Sequence, residues 1–328
     1  MRFRSFRSST AVGAAAVLAI SALAAGCSVA SAGPVAGPPE KTNIVVDVSP
    51  TIDSAGLFIA QMDGLFRQQG LNVTIRFAPA PQLAVSSVIN GTADISSADY
   101  VTYIDNELND NAHLRIIAEA SALQPGDLAL LVGPQSQIKT LSELEGQTVG
   151  VTAPGDISTL LVRALLTENG IRTKRVNIQF GFELANVAQQ LDAGQANAAP
   201  IPEPFASEGE QQYGLQELAD IDQGVTKNFP LDGYAVTQQW AQQNPNTLSA
   251  FVRALTQGQD IADSDRGAVE TAIEKYLGIK PQTAAVIALP DYPLDVNPTQ
   301  LQRVVDTMVQ FSLLPSQDMS FKITNMTG

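Results

Sequence analysis

Hydrogen-bonding residues gather where a predicted strand gives way to a helix in the stretch "VTAPGDISTLL", residues 151–161. A Pro-Gly pair indicates a turn, and Asp156, Ser158 and Thr159 follow it at the start of an apolar helical pattern. The first turn of a helix has backbone N–H groups without intrahelical partners and carries partial positive charge. Two roles are therefore open: Asp156 can cap the helix, or the spare N–H groups can bind a ligand together with Ser158 and Thr159.

Similar residue types occur in other loops beside predicted strands, namely "SPTIDS" (49–54), "SSADY" (96–100), "PEPF" (202–205) and "LDGY" (231–234). In open α/β folds, ligands meet the loops at the carboxyl ends of the strands. The loops are rich in hydroxyls, carboxylates and free N–H groups, and tyrosine rings can stack on a ligand. The predicted ligand contacts are Ser49, Thr51, Asp53, Ser54, Ser97, Asp99, Tyr100, Asp156, Ser158, Thr159, Glu203, Asp232 and Tyr234.

The charge of these loops favours one class of ligand. Their acidic residues are Asp53, Asp99, Asp156, Glu203 and Asp232, and they contain no Lys or Arg. A sulfonate or nitrate would face these carboxylates with only helix N-termini to stabilise it. We expect a neutral or cationic nitrogen-bearing solute, such as an aminopyrimidine or an amine. An anion such as a sulfonate or nitrate is no longer disfavoured if the acids point to solvent or pair with Arg163 or Arg175.

The sequence contains few residues that could form a catalytic site. His113 is the only histidine, so neither a Ser-His-Asp arrangement nor a histidine-rich metal site can be built without it. It precedes a predicted strand and is expected at the surface. No G-x-G-x-x-G or G-x-x-x-x-G-K-[ST] sequence occurs. We predict a binding protein without catalytic residues, cofactor or metal, not an enzyme.

The N-terminal segment has the pattern of an export signal. Three arginines in the first seven residues precede an apolar run over 11–25, which is shorter than the ~20 residues of a bilayer span and ends in small residues. Around Cys27 the stretch resembles a bacterial lipoprotein signal, which implies acylation of that cysteine; cleavage at an ordinary signal peptidase site is the alternative. We predict a signal peptide over 1–27, a flexible Gly- and Pro-rich tether over 28–41, and a location at the outer face of the cell membrane or in the periplasm.

The overall charge is strongly acidic. The chain of 328 residues has 33 Asp and Glu against 19 Lys and Arg, a net charge of -14. Such a surface repels the phosphate backbone, so nucleic acid is excluded as a partner. A single cysteine also excludes a disulfide framework within the chain.

From residue 42 onward the pattern alternates between strands and helices. An apolar β-branched run at 42–48 precedes a helical pattern that ends at Gly70, and "LNVTIRFAP" (71–79) is a second strand. This alternation continues to about residue 201, and helices dominate from about Gln238. It predicts an α/β fold with mostly parallel sheets and helices on both faces.

Two segments of the chain are alike. "VSSVINGTADI" (85–95) aligns with "AQQLDAGQANA" (188–198), with Gly91 matching Gly194 and Asp94 matching Asn197. Each occupies the helix and third strand of its half of the pattern. This repeat predicts two α/β lobes that are built alike.

The order and spacing of several motifs resemble the SsuA/THI5-like (NMT1) family of solute-binding proteins. "GLFIAQMDGLFRQQGLNVTI" has the G-x-F-x-x-x-G-L-x-V ending of that family, matched by Gly64, Phe66, Gly70, Leu71 and Val73. "INGTADISSADY", "LSELEGQTVGVTAPG" and "LDAGQANAAPIPEPFASEGEQQYG" resemble its later motifs, and the resemblance spans about residues 42–320. Two departures are Asn197 in place of Asp and Gln147 in place of Lys.

The resemblance implies a type II periplasmic-binding fold with a ligand cleft between two doubly wound lobes. Lobe I would comprise 42–130 and 233–328, and lobe II 131–232. It further implies the solute-binding subunit of an ABC importer, a monomer that closes by a hinge and docks on a permease served by an ATPase. An enzyme of the same fold in pyrimidine metabolism and a sensory lipoprotein that uses the same cleft remain the alternatives.

Overall fold

The structure of the protein, a computed structural model, describes residues 37–110, 112–315 and 323–327. The predicted signal peptide with Cys27 and most of the predicted tether lie outside the described residues. The last tether residues are hydrogen-bonded to the body of the protein. Glu40 accepts hydrogen bonds from the backbone N–H groups of Asn246 (3.1 Å) and Thr247 (2.9 Å), at the start of a long helix.

Ten strands and several helices make up the described part of the chain. The strands are β1 (Asn43–Val48), β2 (Asn72–Phe77), β3 (Ile95–Asp99), β4 (Leu114–Glu119), β5 (Leu128–Val132), β6 (Thr148–Gly150), β7 (Asn177–Gln179), β8 (Ala198–Pro202), β9 (Gln216–Asp220) and β10 (Asp232–Thr237). The α-helices are α1 (Ala55–Met62), α2 (Leu65–Gln68), α3 (Pro81–Ile89), α4 (Tyr100–Asp110), α5 (Ile157–Glu168), α6 (Val187–Asp192), α7 (Phe205–Tyr213), α8 (Gln238–Gln243), α9 (Pro245–Ser264), α10 (Arg266–Leu277), α11 (Pro281–Ala284), α12 (Pro298–Gln310) and α13 (Thr324–Thr327).

The strands form two sheets of the same design. The first has the order β2-β1-β3-β10-β4 and the second has the order β7-β6-β8-β5-β9. Each sheet contains one crossover strand, β10 in the first and β5 in the second, which follows a strand of the other sheet in the chain. This strand runs antiparallel to both of its neighbours. The sheets are therefore mixed: four of the five strands in each run in the same direction, which agrees with the prediction of mostly parallel sheets, and the crossover strand is reversed because the chain enters it from the other lobe.

The internal repeat is confirmed by matching hydrogen bonds. Asp94 accepts from the backbone N–H of Val45 through Oδ2 (2.9 Å), and Asn197 accepts from that of Thr148 through Oδ1 (2.9 Å). The backbone N–H groups of Asp94 and Asn197 donate in return to the carbonyls of the same two residues. Asparagine at 197 keeps the one acceptor that this contact needs, so the departure from the family pattern leaves the lobe intact.

Three further differences concern single elements. The helix predicted to end at Gly70 is divided, because Gly64 has a left-handed φ of 70° between α1 and α2. Strand β9 was missed, because its sequence "QELAD" is polar and lacks the apolar alternation of a half-buried strand. The predicted lobe boundaries at 130/131 and 232/233 stay predictions; β5 lies entirely in the second sheet and β10 in the first.

Apolar clusters hold the helices to the two sheets, and one of them, which includes residues of α4, α5 and α12, spans both sheets. On the first sheet, Val46, Phe66 and Phe251 belong to one buried cluster between the strands and the pair α1 and α9. On the second sheet, Leu131 and Ile201 pack with residues of α6 and α7 in another. These cores leave the carboxyl ends of the strands free to form a site.

The close approach of α1 and α9 gives a first prediction. A Cβ atom at Gly258 would lie 2.8 Å from the Ala60 Cβ and would also overlap the carbonyl oxygen of Gly56. Because both obstacles belong to a packed helix, we expect Gly258→Ala to lower the free energy of unfolding by about 1–3 kcal/mol or more, measured by urea denaturation. Gly133→Ala is the control: its nearest contact would be an ordinary 3.7 Å. Equal stability of the two variants would contradict the prediction.

Candidate functional site

A cavity of about 90 Å³ lies between the two sheets, at the carboxyl ends of their parallel strands. The first sheet and its loops contribute Ser49, Thr51, Asp53, Pro81, Asp99, Leu231 and Asp232. The second sheet and its loops contribute Asp127, Leu128, Thr152, Asp156, Ile157, Ser158, Leu184, Pro200 and Pro202. A single water needs about 10–15 Å³ on this scale, so the space suits a solute of a few heavy atoms.

The structure brings many of the predicted contacts together around this cavity. Those that line it are Ser49, Thr51, Asp53, Asp99, Asp156, Ser158 and Asp232. Those that do not line it are Ser54, Ser97, Tyr100, Thr159, Glu203 and Tyr234. The six residues of the second group do not reach the cavity for one common reason. Each side chain packs in the interior or is hydrogen-bonded to another part of the protein.

Individual contacts show where these side chains are used instead. The hydroxyls of Ser54 and Ser97 lie 3.3 Å apart in a buried pair, and Thr159 donates from Oγ1 to the carbonyl of Ala153 (2.6 Å). Glu203 accepts from the Ser207 hydroxyl (2.7 Å) and backbone N–H (3.1 Å) in the first turn of α7.

The two tyrosines lie deeper in the first lobe. Tyr234 belongs to the apolar core of the first sheet, and Tyr100 packs in the large core cluster that includes α4 and α5. The Tyr100 ring also lies against Gly233, where a Cβ would come within 2.6 Å of the ring. Neither ring is placed to stack on a solute in the cavity.

The helix start at residue 156 is capped by its own side chain. Asp156 accepts from the backbone N–H of Thr159 (3.1 Å) and of Ala153 (3.1 Å), and from the Ser158 hydroxyl (2.8 Å). The first of the two open roles is therefore filled, and Asp156 still lines the cavity. Burial raises the pKa of Asp156 above its ordinary value, and these hydrogen bonds act against that rise.

Asp99 has the same arrangement at the start of α4 in the first lobe. Its carboxylate accepts from the backbone N–H (2.8 Å) and the hydroxyl (2.7 Å) of Thr102. Burial, and after it the charge of Asp156, raises the pKa of Asp99 to about 7. Two capping carboxylates, one from each lobe, therefore lie within electrostatic reach of each other across the cavity.

Asp232 lies beside Asp99 on the neighbouring strand. The two are direct cross-strand partners in the antiparallel pair of β10 and β3. Cβ atoms in such a pair are about 4.5–5.5 Å apart, and like charges there repel. Burial, followed by the charges of Asp53, Asp99 and Asp127, raises the pKa of Asp232 well above its ordinary value.

Asp127 is a cavity residue that the sequence reasoning missed. It is 2% exposed, and its Oδ2 atom has no hydrogen-bond partner in the described part of the chain. Burial, followed by the charges of Asp53 and Glu203, raises the pKa of Asp127 well above its ordinary value. A signal was present: Asp127 precedes β5 as Asp232 begins β10, so each crossover strand starts with an aspartate.

Two hydroxyls in the cavity also lack partners. Ser49 Oγ and Thr51 Oγ1 are buried, line the cavity, and neither donate nor accept a hydrogen bond within the described residues. Unsatisfied buried polar groups are rare in proteins and call for a ligand or an ordered water. The remaining walls are largely apolar, formed by leucine, isoleucine and proline side chains.

None of the cavity carboxylates pairs with a Lys or Arg in the part of the chain that the structure describes. No Lys or Arg lines the cavity among the described residues. Arg163 donates to the carbonyl of Ser312 (2.8 Å), and Arg175 pairs with Glu145 (2.7 Å). The open alternative that these two arginines neutralise the loop acids is therefore not realised.

Comparisons with known proteins decide the family. Residues 51–265 match the model of the family described as NMT1/THI5 like. The chain belongs to this family. YtlA of Bacillus subtilis is 21% identical over 250 residues, which cover 71% of this chain and 74% of YtlA.

Solved structures of similar fold support the same assignment. The alkanesulfonate-binding protein SsuA from Xanthomonas axonopodis pv. citri, bound to MOPS, superposes with a TM-score of 0.70 at 17% identity, over 85% of this chain and 96% of SsuA. The periplasmic nitrate-binding protein NrtA from Synechocystis has a TM-score of 0.71 at 15% identity, over 85% of this chain and 84% of NrtA. The expected two-lobed type II periplasmic-binding fold is thereby confirmed.

Other features of this NMT1/THI5-like protein lie apart from the cavity. His113 is exposed just before β4, as expected. Across residues 37–110, 112–315 and 323–327, no three His, Cys, Asp or Glu side chains form a group that could hold a metal ion. Among the helices described, none has both the length and the apolar character to cross a bilayer.

Removal of the α5 cap gives a second prediction. We expect Asp156→Ala to lower the free energy of unfolding by about 1 kcal/mol, because the helix start loses its acceptor. Asp265 caps α10 in the same way, by accepting from the backbone N–H of Ala268 (3.2 Å), and does not line the cavity. Asp265→Ala should therefore cost a similar amount while solute binding is retained. Urea denaturation and calorimetric titration check the two variants. A loss of solute binding in Asp265→Ala would contradict the distinction between a cap that lines the cavity and one that does not.

Proposed function

We propose that this protein is the solute-capturing subunit of an ABC importer and works outside the cytoplasm. The observation that carries the proposal is the cavity between two similar lobes, lined by buried polar atoms that have no partner within the described chain. Such atoms favour a site that is completed by a ligand. The relatives SsuA and NrtA are themselves described as binding proteins.

The connection between the lobes supports capture by hinge closure. Two segments cross between the sheets, and they pair with each other through an antiparallel bridge of Ala122 with Pro230. The backbone N–H of Leu123 donates to the carbonyl of Phe229 (2.8 Å), and that of Leu231 donates to the carbonyl of Ser121 (3.0 Å). A narrow paired ribbon of this kind can bend while each lobe stays rigid, which is how hinged domains close on a ligand.

The expected solute is small, nitrogen-bearing, and neutral or cationic. SsuA and NrtA are described as binding alkanesulfonate and nitrate, which are anions. The cavity of this chain is lined by Asp53, Asp99, Asp127, Asp156 and Asp232 without any Lys or Arg among the described residues. Bringing an anion into this group would add a buried like charge that has no partner. An amine or aminopyrimidine can instead donate hydrogen bonds to the carboxylates.

The partners follow from the same role. The closed form would dock on a membrane permease, an ATPase would supply the transport energy, and the protein would act as a monomer. An acyl chain on Cys27 would hold it at the outer face of the membrane. Acylation is tested by mass spectrometry of the exported protein and of Cys27→Ala, which should be released from the membrane fraction.

A comparison of solutes tests the ligand class. Thermal unfolding and isothermal titration calorimetry would be run with an aminopyrimidine, a small alkylamine, an alkanesulfonate and nitrate. A ligand at 100 times its dissociation constant stabilises the folded state by about 2.7 kcal/mol, which is readily measured. We expect stabilisation by a nitrogen-bearing solute and none by the anions. Tight binding of the alkanesulfonate without binding of either nitrogen compound would refute the proposed class.

A further inference from the structure

We infer that the solute of this cavity is a small organic ammonium ion, and that its capture expels protons from the carboxyl groups around it. The inference rests on the proposed role in solute capture and adds the charge of the solute and its exchange for protons. It starts from the placement of three aspartates, two on the first lobe and one on the second.

The first-lobe pair is a cross-strand juxtaposition. Asp99 and Asp232 lie directly opposite each other on β3 and β10, and both side chains line the cavity. Asp99 is occupied with the hydrogen bonds of Thr102 at the start of α4. Asp53 stands on the same side and accepts from the Ser121 hydroxyl (2.6 Å). Two carboxylates this close cannot both remain charged in a buried site unless a cation lies between or beside them.

The second lobe supplies Asp127 with an oxygen that has no partner. Its charged surroundings are acidic: Asp53 and Glu203 face it, and beyond them lie Asp220 and Asp222. Each of the last three is already engaged, since Glu203 accepts from Ser207, Asp220 from the Gly126 N–H (3.0 Å) and Asp222 from the Asn228 N–H (2.6 Å). Asp127 Oδ2 is left as a buried acceptor at the cavity. A buried, unpartnered carboxylate oxygen calls for a donor that carries positive charge.

An ammonium group fits this arrangement better than a neutral donor does. It presents three N–H donors and one positive charge, which match several acidic acceptors at once. The hydroxyls of Ser49 and Thr51, also without partners, can accept from the same group. The apolar walls of Leu128, Ile157 and Leu184 suit a short hydrocarbon body. The cavity therefore matches a compact alkylammonium.

Proton release follows from the state of the carboxyl groups before binding. Burial and mutual repulsion raise the pKa of Asp99 to about 7 and that of Asp127 and Asp232 well above the ordinary value, so the empty site holds protons at neutral pH. A cation beside these groups favours their ionised form. In the balanced exchange one ammonium enters, its own charge unchanged, and a proton leaves a carboxylic acid for solvent. Affinity should therefore rise with pH, up to tenfold per unit for each proton released.

The test uses the full chain and three probes with one carbon skeleton: isobutylammonium, isobutanol and 2-methylpropane-1-sulfonate. Calorimetric titrations at pH 6, 7 and 8 would be run in phosphate, and the titration at pH 7 would be repeated in HEPES, which has a different ionisation heat and is too large for the cavity. We expect binding of isobutylammonium alone, an affinity that increases several-fold per pH unit, and a difference in heat between the buffers that reports released protons. The amine stays charged over this range, so its own titration does not contribute.

The outcomes separate this inference from the proposed function. Equal binding of isobutanol and isobutylammonium, or ammonium binding with the same affinity at every pH and the same heat in both buffers, would overturn the inference alone. Failure of the ammonium to bind while a neutral aminopyrimidine binds would do the same. Binding of the sulfonate in preference to every nitrogen compound would overturn both.

Discussion

Replacement of Asp127 by asparagine is expected to weaken ammonium binding by about 30-fold or more and to stabilise the unliganded protein at pH 8. The binding loss follows because the ammonium would lose a buried, charge-assisted acceptor, and truncation of one partner of a buried charge pair costs about 2–5 kcal/mol. The side chain is 2% exposed, so water cannot replace the missing charge. Asparagine has the same shape, so the cavity should keep its walls.

Asp127→Asn weakens binding but is expected to raise the free energy of unfolding of the unliganded protein, because Asp127 is costly to ionise in the folded state. Burial raises the pKa of Asp127 in the folded state above the value of about 3.9 in an unfolded chain. The folded state therefore binds more protons than the unfolded state, and stability falls as pH rises above about 4. At pH 8 much of that penalty is present. The asparagine side chain of the Asp127→Asn variant does not titrate, so the variant escapes this penalty.

A charge-matched substitution controls for the overall acidity of the protein. Asp260 is exposed on α9 and does not line the cavity, so Asp260→Asn makes the same charge change away from the site. Calorimetry with isobutylammonium and urea denaturation at pH 8 would be compared for both variants. Unchanged affinity in Asp127→Asn, or a lower free energy of unfolding than in Asp260→Asn, would contradict the role assigned to Asp127.

The fold could be predicted from sequence because its signals are local and repeated. The helix–glycine–strand repeat around Gly91 and Gly194 specified two lobes, and the structure places the same hydrogen bond on Asp94 and Asn197. Strand direction was harder. Nothing in the composition of β5 or β10 shows that the chain enters from the other lobe, and this decides that both strands run antiparallel.

The lining of the cavity was predicted in part, and the predicted contacts that do not line it share a physical cause. Alternation along a strand gives the face of a side chain and not its depth. Ser97 and Tyr234 lie on the same faces as Asp99 and Asp232, yet they are one pleat further into the sheet and are covered by packing. On β3 and β10 only the outermost residue, Asp99 or Asp232, reaches the cavity. Sequence periodicity cannot identify that residue, since strand ends shift by one or two positions.

Asp127 was missed for a different reason. Ligand contacts were predicted in loops that follow strands, whereas Asp127 precedes β5. An antiparallel crossover strand begins at the edge where its parallel neighbours end, so its first residues reach the cavity. Asp232 was included because its loop, "LDGY" (231–234), was counted among the loops at the carboxyl ends of strands. The same reasoning about strand direction would have found both aspartates.

The unliganded protein is expected to lose stability steadily as pH rises from 5.5 to 8. Burial raises the pKa of several carboxyl groups in the folded state: Asp99 and Glu119 to about 7, and Asp127 and Asp232 well above their ordinary values. Each such group binds a proton in the folded state that the unfolded chain has released above about pH 4. The free energy of unfolding then falls by up to about 1.4 kcal/mol per pH unit for each group, until pH exceeds the folded-state pKa.

Urea denaturation at intervals across this range measures the slope, and a solute that binds should offset it. With saturating isobutylammonium the carboxylates are ionised partners of a cation, so the stability added by the ligand should grow toward pH 8 while it shrinks toward pH 5.5. Asp232→Asn removes one of the titrating groups and should flatten the unliganded slope, whereas Asp260→Asn should leave it unchanged. Stability that increases from pH 5.5 to 8 without ligand would show that the buried acids are not protonated in the folded state, because only acids whose folded-state pKa is raised make folding take up protons.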